Sequence, residues 1–130
     1  MRRLKARLLT ALALSIAVPA SAQEPAFPKD WQGIWNDQGE RCLAKDLGNN
    51  DRLLQISGRT AHWYESQCDL KEITPSPEDP GALDIRLLCA GEGYEWTAAE
   101  LWKHVAVDGN RFLLAANPER KSVSLYRRCE

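Results

Sequence analysis

The chain has 130 residues, 17 Lys and Arg, 18 Asp and Glu, and a net charge of −1. That length holds one domain. The 44% apolar share excludes a disordered chain, and the balanced charge argues against a nucleic-acid partner, which calls for a basic excess.

Residues 1–22 read as a secretory leader. Arg2, Arg3, Lys5 and Arg7 make a basic start, Leu8 to Val18 is apolar apart from Thr10 and Ser15, and Ala20-Ser21-Ala22 offers small residues for cleavage before Gln23. The apolar run is shorter than the ~20 residues of a membrane-spanning helix. Arg2-Arg3 lacks the rest of a twin-arginine pattern, and no Cys stands at the cleavage site to take a lipid. The expectation is a periplasmic or secreted protein with no membrane span after cleavage. The remaining 108 residues carry 13 basic and 18 acidic side chains, a net charge of −5.

Residues 23–30, with Pro25 and Pro28 and no periodicity, read as an extended arm, and residues 31–130 as a single β domain. Trp31–Trp35 is the first predicted strand. Residues 36–51, rich in Asn, Asp and Gly, form a long loop that carries Cys42. Arg52–Ser57 and Thr60–Glu65 are strands around a turn at Gly58. Cys68–Thr74 and Leu83–Cys89 form the next pair. The three prolines of Pro75–Gly81 exclude a strand between them.

After a turn at Ala90–Gly93, residues 95–102 stay ambiguous. Thr97-Ala98-Ala99-Glu100 favours a short helix by propensity. Leu101–Val107 reads as a strand with Leu101, Val105 and Val107 on one face. Asp108-Gly109-Asn110 is a hairpin turn. Arg111–Ala115 and Ser122–Arg128 are the last two strands. Seven or eight short strands at spacings near ten residues predict an all-β antiparallel meander, folded as a small barrel or a sandwich.

Cys42, Cys68, Cys89 and Cys129 are even in number and lack any CxxC pair, so the expectation is two disulfides and no metal. If Cys68 opens a hairpin that Cys89 closes, the two fall opposite each other, which favours Cys68–Cys89 with Cys42–Cys129. Cys42–Cys68 with Cys89–Cys129 stays open as the rival.

Gly33-x-Trp35 on the first strand and Arg127-Arg128 on the last resemble the signature of the calycins, the lipocalin-like barrels. The resemblance implies a barrel whose first-strand Trp packs against one of the two terminal arginines. The wider outline also resembles small secreted β proteins of Gram-negative bacteria. That outline is Tyr64 to Cys68 (Tyr-Glu-Ser-x-Cys), Cys89 to Gly93 (Cys-x-Gly-Glu-Gly) and the closing Arg128-Cys129. A looser similarity links it to periplasmic inhibitors of proteases and lysozyme.

Motifs for a metalloprotease, a serine hydrolase or a phosphate loop are absent from the sequence. Glu92 and Glu95 flank Tyr94 and Trp96, but read best as a solvated turn beside core aromatics. His62 and His104 read as structural. The expectation is a protein that is not an enzyme and needs no cofactor. Five Trp are many for a domain of this size. Trp35 and Trp63 are expected in the core, and Trp31, Trp96 and Trp102 are the candidate binding surface. The function that fits is an exported binding module, such as an inhibitor of a lysozyme or protease. Its partner would be a protein of the envelope or extracellular space, met through the arm or through Pro75–Gly81. The alternatives are a small-ligand carrier of lipocalin-like type and a structural or stress partner in the envelope.

Overall fold

The computed structural model describes residues 16–17, 23–37, 39, 42 and 52–130. The expected leader, apart from Ile16 and Ala17, and most of the loop over residues 36–51 lie outside them. A 3-10 turn (Lys29–Trp31) precedes eight strands among the described residues. These are β1 (Gly33–Asp37), β2 (Leu53–Ser57), β3 (Thr60–His62), β4 (Ser66–Pro75), β5 (Ala82–Gly91), β6 (Tyr94–Val107), β7 (Asn110–Asn117) and β8 (Ser122–Arg128). Each strand pairs antiparallel with the next, and β8 pairs back onto β1, so the sheet closes as a barrel. No helix among the described residues is long and apolar enough to cross a membrane.

The short helix expected near residues 95–102 does not form; β6 runs unbroken from Tyr94 to Val107. It is laddered along β5 on one side and β7 on the other. Helix propensities differ by well under ~1 kcal/mol per residue, and two ladders outweigh that. The first strand begins at Gly33, because Trp31 belongs to the 3-10 turn. The third strand stops at His62, and Trp63 to Glu65 turn into β4.

Alternation along each strand decides what faces the barrel axis. Trp35, Leu54, Ile56, Ala61, Leu70, Ile85 and Leu113 point inward and are buried. On β6 the inward positions are Trp96, Ala98, Glu100, Trp102 and His104, so the apolar trio Leu101, Val105 and Val107 lies on the outer face; Val107 is 54% exposed.

One end of the barrel is plugged by the chain itself. The backbone N–H of Phe27 donates to Gly58 O at 2.8 Å, in the β2–β3 turn. The ring of Phe27 stacks on Trp102 with centroids 5.5 Å apart, and Trp31 stacks on the same indole at 6.4 Å. Arg59 pairs with Glu24 and donates to Pro25 O, which ties down the start of the segment. Residues 23–30 are therefore a folded strap and not a free arm. Burying Phe27 and Trp31 removes two large apolar side chains from water, on the order of 2–3 kcal/mol each.

Trp35 locks the strap to the closure of the barrel. Its indole N–H donates to Trp31 O at 2.8 Å. The guanidinium of Arg128, directly opposite in the β1–β8 register, lies 5.4 Å from the Trp35 ring centroid. Neighbouring residues on a strand face opposite ways, so Arg127 points outward instead, over Phe112 at 5.7 Å, and donates to Asn110 Oδ1 at 2.7 Å. Gly33 has φ +134°, and a Cβ there would sit 2.5 Å from Arg128 Nη2. The Gly-x-Trp pattern is thus the space that Arg128 needs.

Two disulfides staple the barrel, one within its wall and one beside the β1–β8 closure. Cys68 and Cys89 are register partners on β4 and β5 and are bridged to each other. Cys42 is bridged to Cys129. Gly39 N–H donates to Leu125 O and Glu130 N–H to Cys42 O, which holds these two positions against β8 and the residues that follow it. The bridges span 87 and 21 residues. Constraining loops of those lengths in the unfolded chain stabilises by about 4–5 and 3 kcal/mol taken singly, and less together because the shorter loop lies inside the longer.

Candidate functional site

Trp102 divides the barrel interior in two. On one side it meets the plug. On the other its ring meets Trp63 edge-on, with centroids 6.4 Å apart. Beyond it, at the end where the β3–β4, β5–β6 and β7–β8 turns meet, the barrel opens into a cavity of about 460 Å³. Small ligands commonly occupy clefts of ~300–1,000 Å³. Its apolar walls come from Trp63, Trp96, Leu87, Ala98 and the Cys68–Cys89 bridge.

The cavity exists because the inward positions of β6 shrink or turn polar there. Ala98 stands where a large residue would fill the axis, and Glu100 follows it. Glu100 is held in place from two sides. Trp102 Nε1 donates to Glu100 Oε2 at 2.6 Å, and Asn117 Nδ2 donates to Glu100 Oε1 at 3.3 Å. Asn117 Oδ1 in turn accepts the backbone N–H of Arg120 at 3.0 Å, which fixes the β7–β8 turn at the rim. Trp63 Nε1 donates to the hydroxyl of Tyr126 at 3.1 Å. Burial raises the Tyr126 pKa above the usual phenol value, the bond from Trp63 opposes the shift, and Asp37 and Glu100 add to it. Two carboxylates therefore bear on this end of the interior.

The rim extends the same chemistry. A shallower depression continues from the cavity past Trp96 and Arg120 to Glu65, Glu92 and Tyr94. Tyr64 lies beside Trp63 and Glu65 in a neighbouring one. Tyr64 and Tyr94 are 59% and 75% exposed, large rings left in water at the mouth.

At the plugged end a second polar cluster closes the barrel. Arg111 Nε donates to His104 Nε2 at 3.2 Å, and His104 Nδ1 lies 3.7 Å from Asp30 Oδ2. Arg111 also donates to Asp30 O, binding the strap. Accepting from Arg111 requires neutral imidazole at Nε2. Burial holds the His104 pKa below its ordinary value, Arg111 adds to this, Asp30 opposes it and Arg128 adds a little more. The ring packs edge-on against Trp35 at 5.8 Å, so His104 is a structural element of the closure.

Of the candidate binding surface Trp31, Trp96 and Trp102, only Trp96 lines the mouth. Trp31 and Trp102 are 4% and 0% exposed, because the strap that the sequence leaves free fills that end of the barrel. Trp63, expected in the core, is half-buried and forms a wall of the cavity. Glu92 reaches the rim from a turn at φ +49°, whereas Glu95 is exposed and alternates with the inward Trp96, so the pair does not converge. His62 is exposed on β3. The loop between Pro75 and Gly81 is tied back by Ser76 N–H to Ala82 O and by Lys103 to Asp79 at 2.8 Å. No group of three or more metal-ligating side chains occurs among the described residues.

Glu100, Asn117, Ala98, Leu87 and Arg120 are absent from the sequence-based candidates. The signal that points to them is parity: Glu100 is an even number of residues from both Trp96 and Trp102, so a strand puts all three on one face. No family model, curated protein or solved structure matches this chain, and the chemistry of the mouth is read from its own residues.

Proposed function

We propose that the chain is an exported binding protein that holds a small ligand in the open mouth of its barrel, the carrier reading of the alternatives above. The observation that carries it is the unfilled half of the interior, a cavity of about 460 Å³ walled by Trp63, Trp96, Leu87 and Ala98 behind a plugged far end. Two disulfides and the basic-apolar-small leader pattern support an oxidising location, periplasmic or secreted. The two segments through which an inhibitor would enter an enzyme cleft, residues 23–30 and Pro75–Gly81, are both bound to their own barrel, which favours a ligand inside over an enzyme outside.

The test is binding of a neutral fluorescent naphthylamine, read by its emission, to the oxidised protein and to Ala98→Phe. The variant places a ring in the cavity and leaves the plug untouched. Stoichiometric binding to the native chain, weakened at least about tenfold in Ala98→Phe, is expected. Equal binding to both proteins, or none to either, refutes the reading. In the latter case, inhibition of a basic lysozyme or secreted protease at micromolar protein would establish the inhibitor reading.

A further inference from the structure

Resting on that reading, we infer that the ligand is an amphipathic organic cation, an ammonium or amine head on an apolar body. The cavity and the rim depression continuous with it are lined by Glu65, Glu92, Glu100 and Glu119 against one guanidinium among the described residues, Arg120. Glu100 is the member that matters most. It stands on the inward face of β6, between the apolar walls, with its carboxylate oriented by Trp102 and Asn117. The carboxylate is half-buried in a lining of mixed polarity, and its two neutral donors leave its charge without a cation at hydrogen-bond distance in those contacts. Each of its oxygens accepts one bond from these neutral donors and keeps further acceptor capacity, which an ammonium with several N–H groups matches.

The aromatic lining points the same way. Trp63 and Trp96 line the walls, and Tyr64 and Tyr94 stand at the rim. Indole and phenol faces attract cations and give no such gain to a carboxylate or sulfate. The net charge of −5 on residues 23–130 draws a cation toward the mouth and slows an anion. An anionic lipid or fatty acid would meet a lining that, among the described residues, holds four carboxylates and one guanidinium.

Three eight-carbon probes of matched chain separate the classes: octylammonium, 1-octanol and octyl sulfate, each below its aggregation threshold. Quenching of Trp fluorescence reads binding. The ammonium is expected to bind at least about tenfold tighter than the alcohol, and the sulfate weakest. Glu100→Gln keeps an acceptor for Trp102 and removes the charge, so it should cut the ammonium's lead to about threefold or less while leaving the alcohol unchanged. Arg120→Glu, on an exposed turn, should widen that lead, and keeps the question answerable if Glu100→Gln does not fold. If the sulfate binds as well as the ammonium, or if neither variant changes the preference, the cation assignment falls. Binding of the alcohol in that case leaves the carrier reading standing. Failure of all three probes overturns both.

Discussion

Replacing Gly33 by Ala tests the closure of the barrel at its tightest point. The backbone at Gly33 has φ +134°, a region that side chains rarely adopt, and holding Ala there costs about 1–3 kcal/mol. The new methyl would also stand 2.5 Å from Arg128 Nη2 and 2.6 Å from Cζ. Arg128 must then leave its place over Trp35, and losing that contact costs about 1–2 kcal/mol more. The sum is about 2–5 kcal/mol, a large part of the stability of a domain this size. The two contributions are separable. In an Arg128→Ala background the collision is gone, and Gly33→Ala should cost only the backbone part. A double-mutant cycle in urea, followed by Trp fluorescence under oxidising conditions, should therefore give a coupling of about 1–2 kcal/mol between the two sites. Equal costs in both backgrounds would falsify the claim that Gly33 exists to admit Arg128. A Gly33→Ala cost under about 0.5 kcal/mol would refute the strain as well.

Phe27→Ala should destabilise by about 3 kcal/mol in urea because it opens the plug, yet leave naphthylamine binding at the mouth within about twofold. Stability should decline as pH drops below about 6.5. The unfolded chain takes up a proton at His104 that the folded state resists, so stability is present above that value and is lost on acidification. His104→Phe should flatten this part of the urea-midpoint profile, and an unchanged profile would clear His104 of the effect. Protein recovered after export should have an intact mass starting at Gln23 and take up no alkylating reagent before reduction; a retained leader or a reactive thiol would contradict the export reading.

The strands were legible where one face is apolar and turns are marked by Gly, Pro or Asp. Cys68 and Cys89 stand opposite each other because a bulge between Leu70 and Glu72 shifts the register by one; the pairing that starts at Pro75–Leu83, continued without it, would set Cys68 against Ala90. What stayed illegible was β6 between Trp96 and Trp102. Its inward positions are Ala98 and Glu100, small and acidic, so the period-2 signal vanishes where the barrel is unfilled. The same feature that hid the strand makes the cavity. The roles of the five Trp were equally hidden, since composition cannot say which end of a barrel the chain plugs. Once the strap over Phe27 and Trp31 is placed, Trp102 becomes interior and Trp63 becomes a wall.

The strap, the Gly58 turn and the Cys129 staple all sit at one pole of the barrel. Residues 23 and 130 therefore leave the fold together, facing away from the mouth. Whatever is joined at either position, an affinity tag, a surface linker or a fused protein, leaves the opening unobstructed. The polarity is useful in practice: a chip-bound copy tethered through either position presents its cavity to the flow.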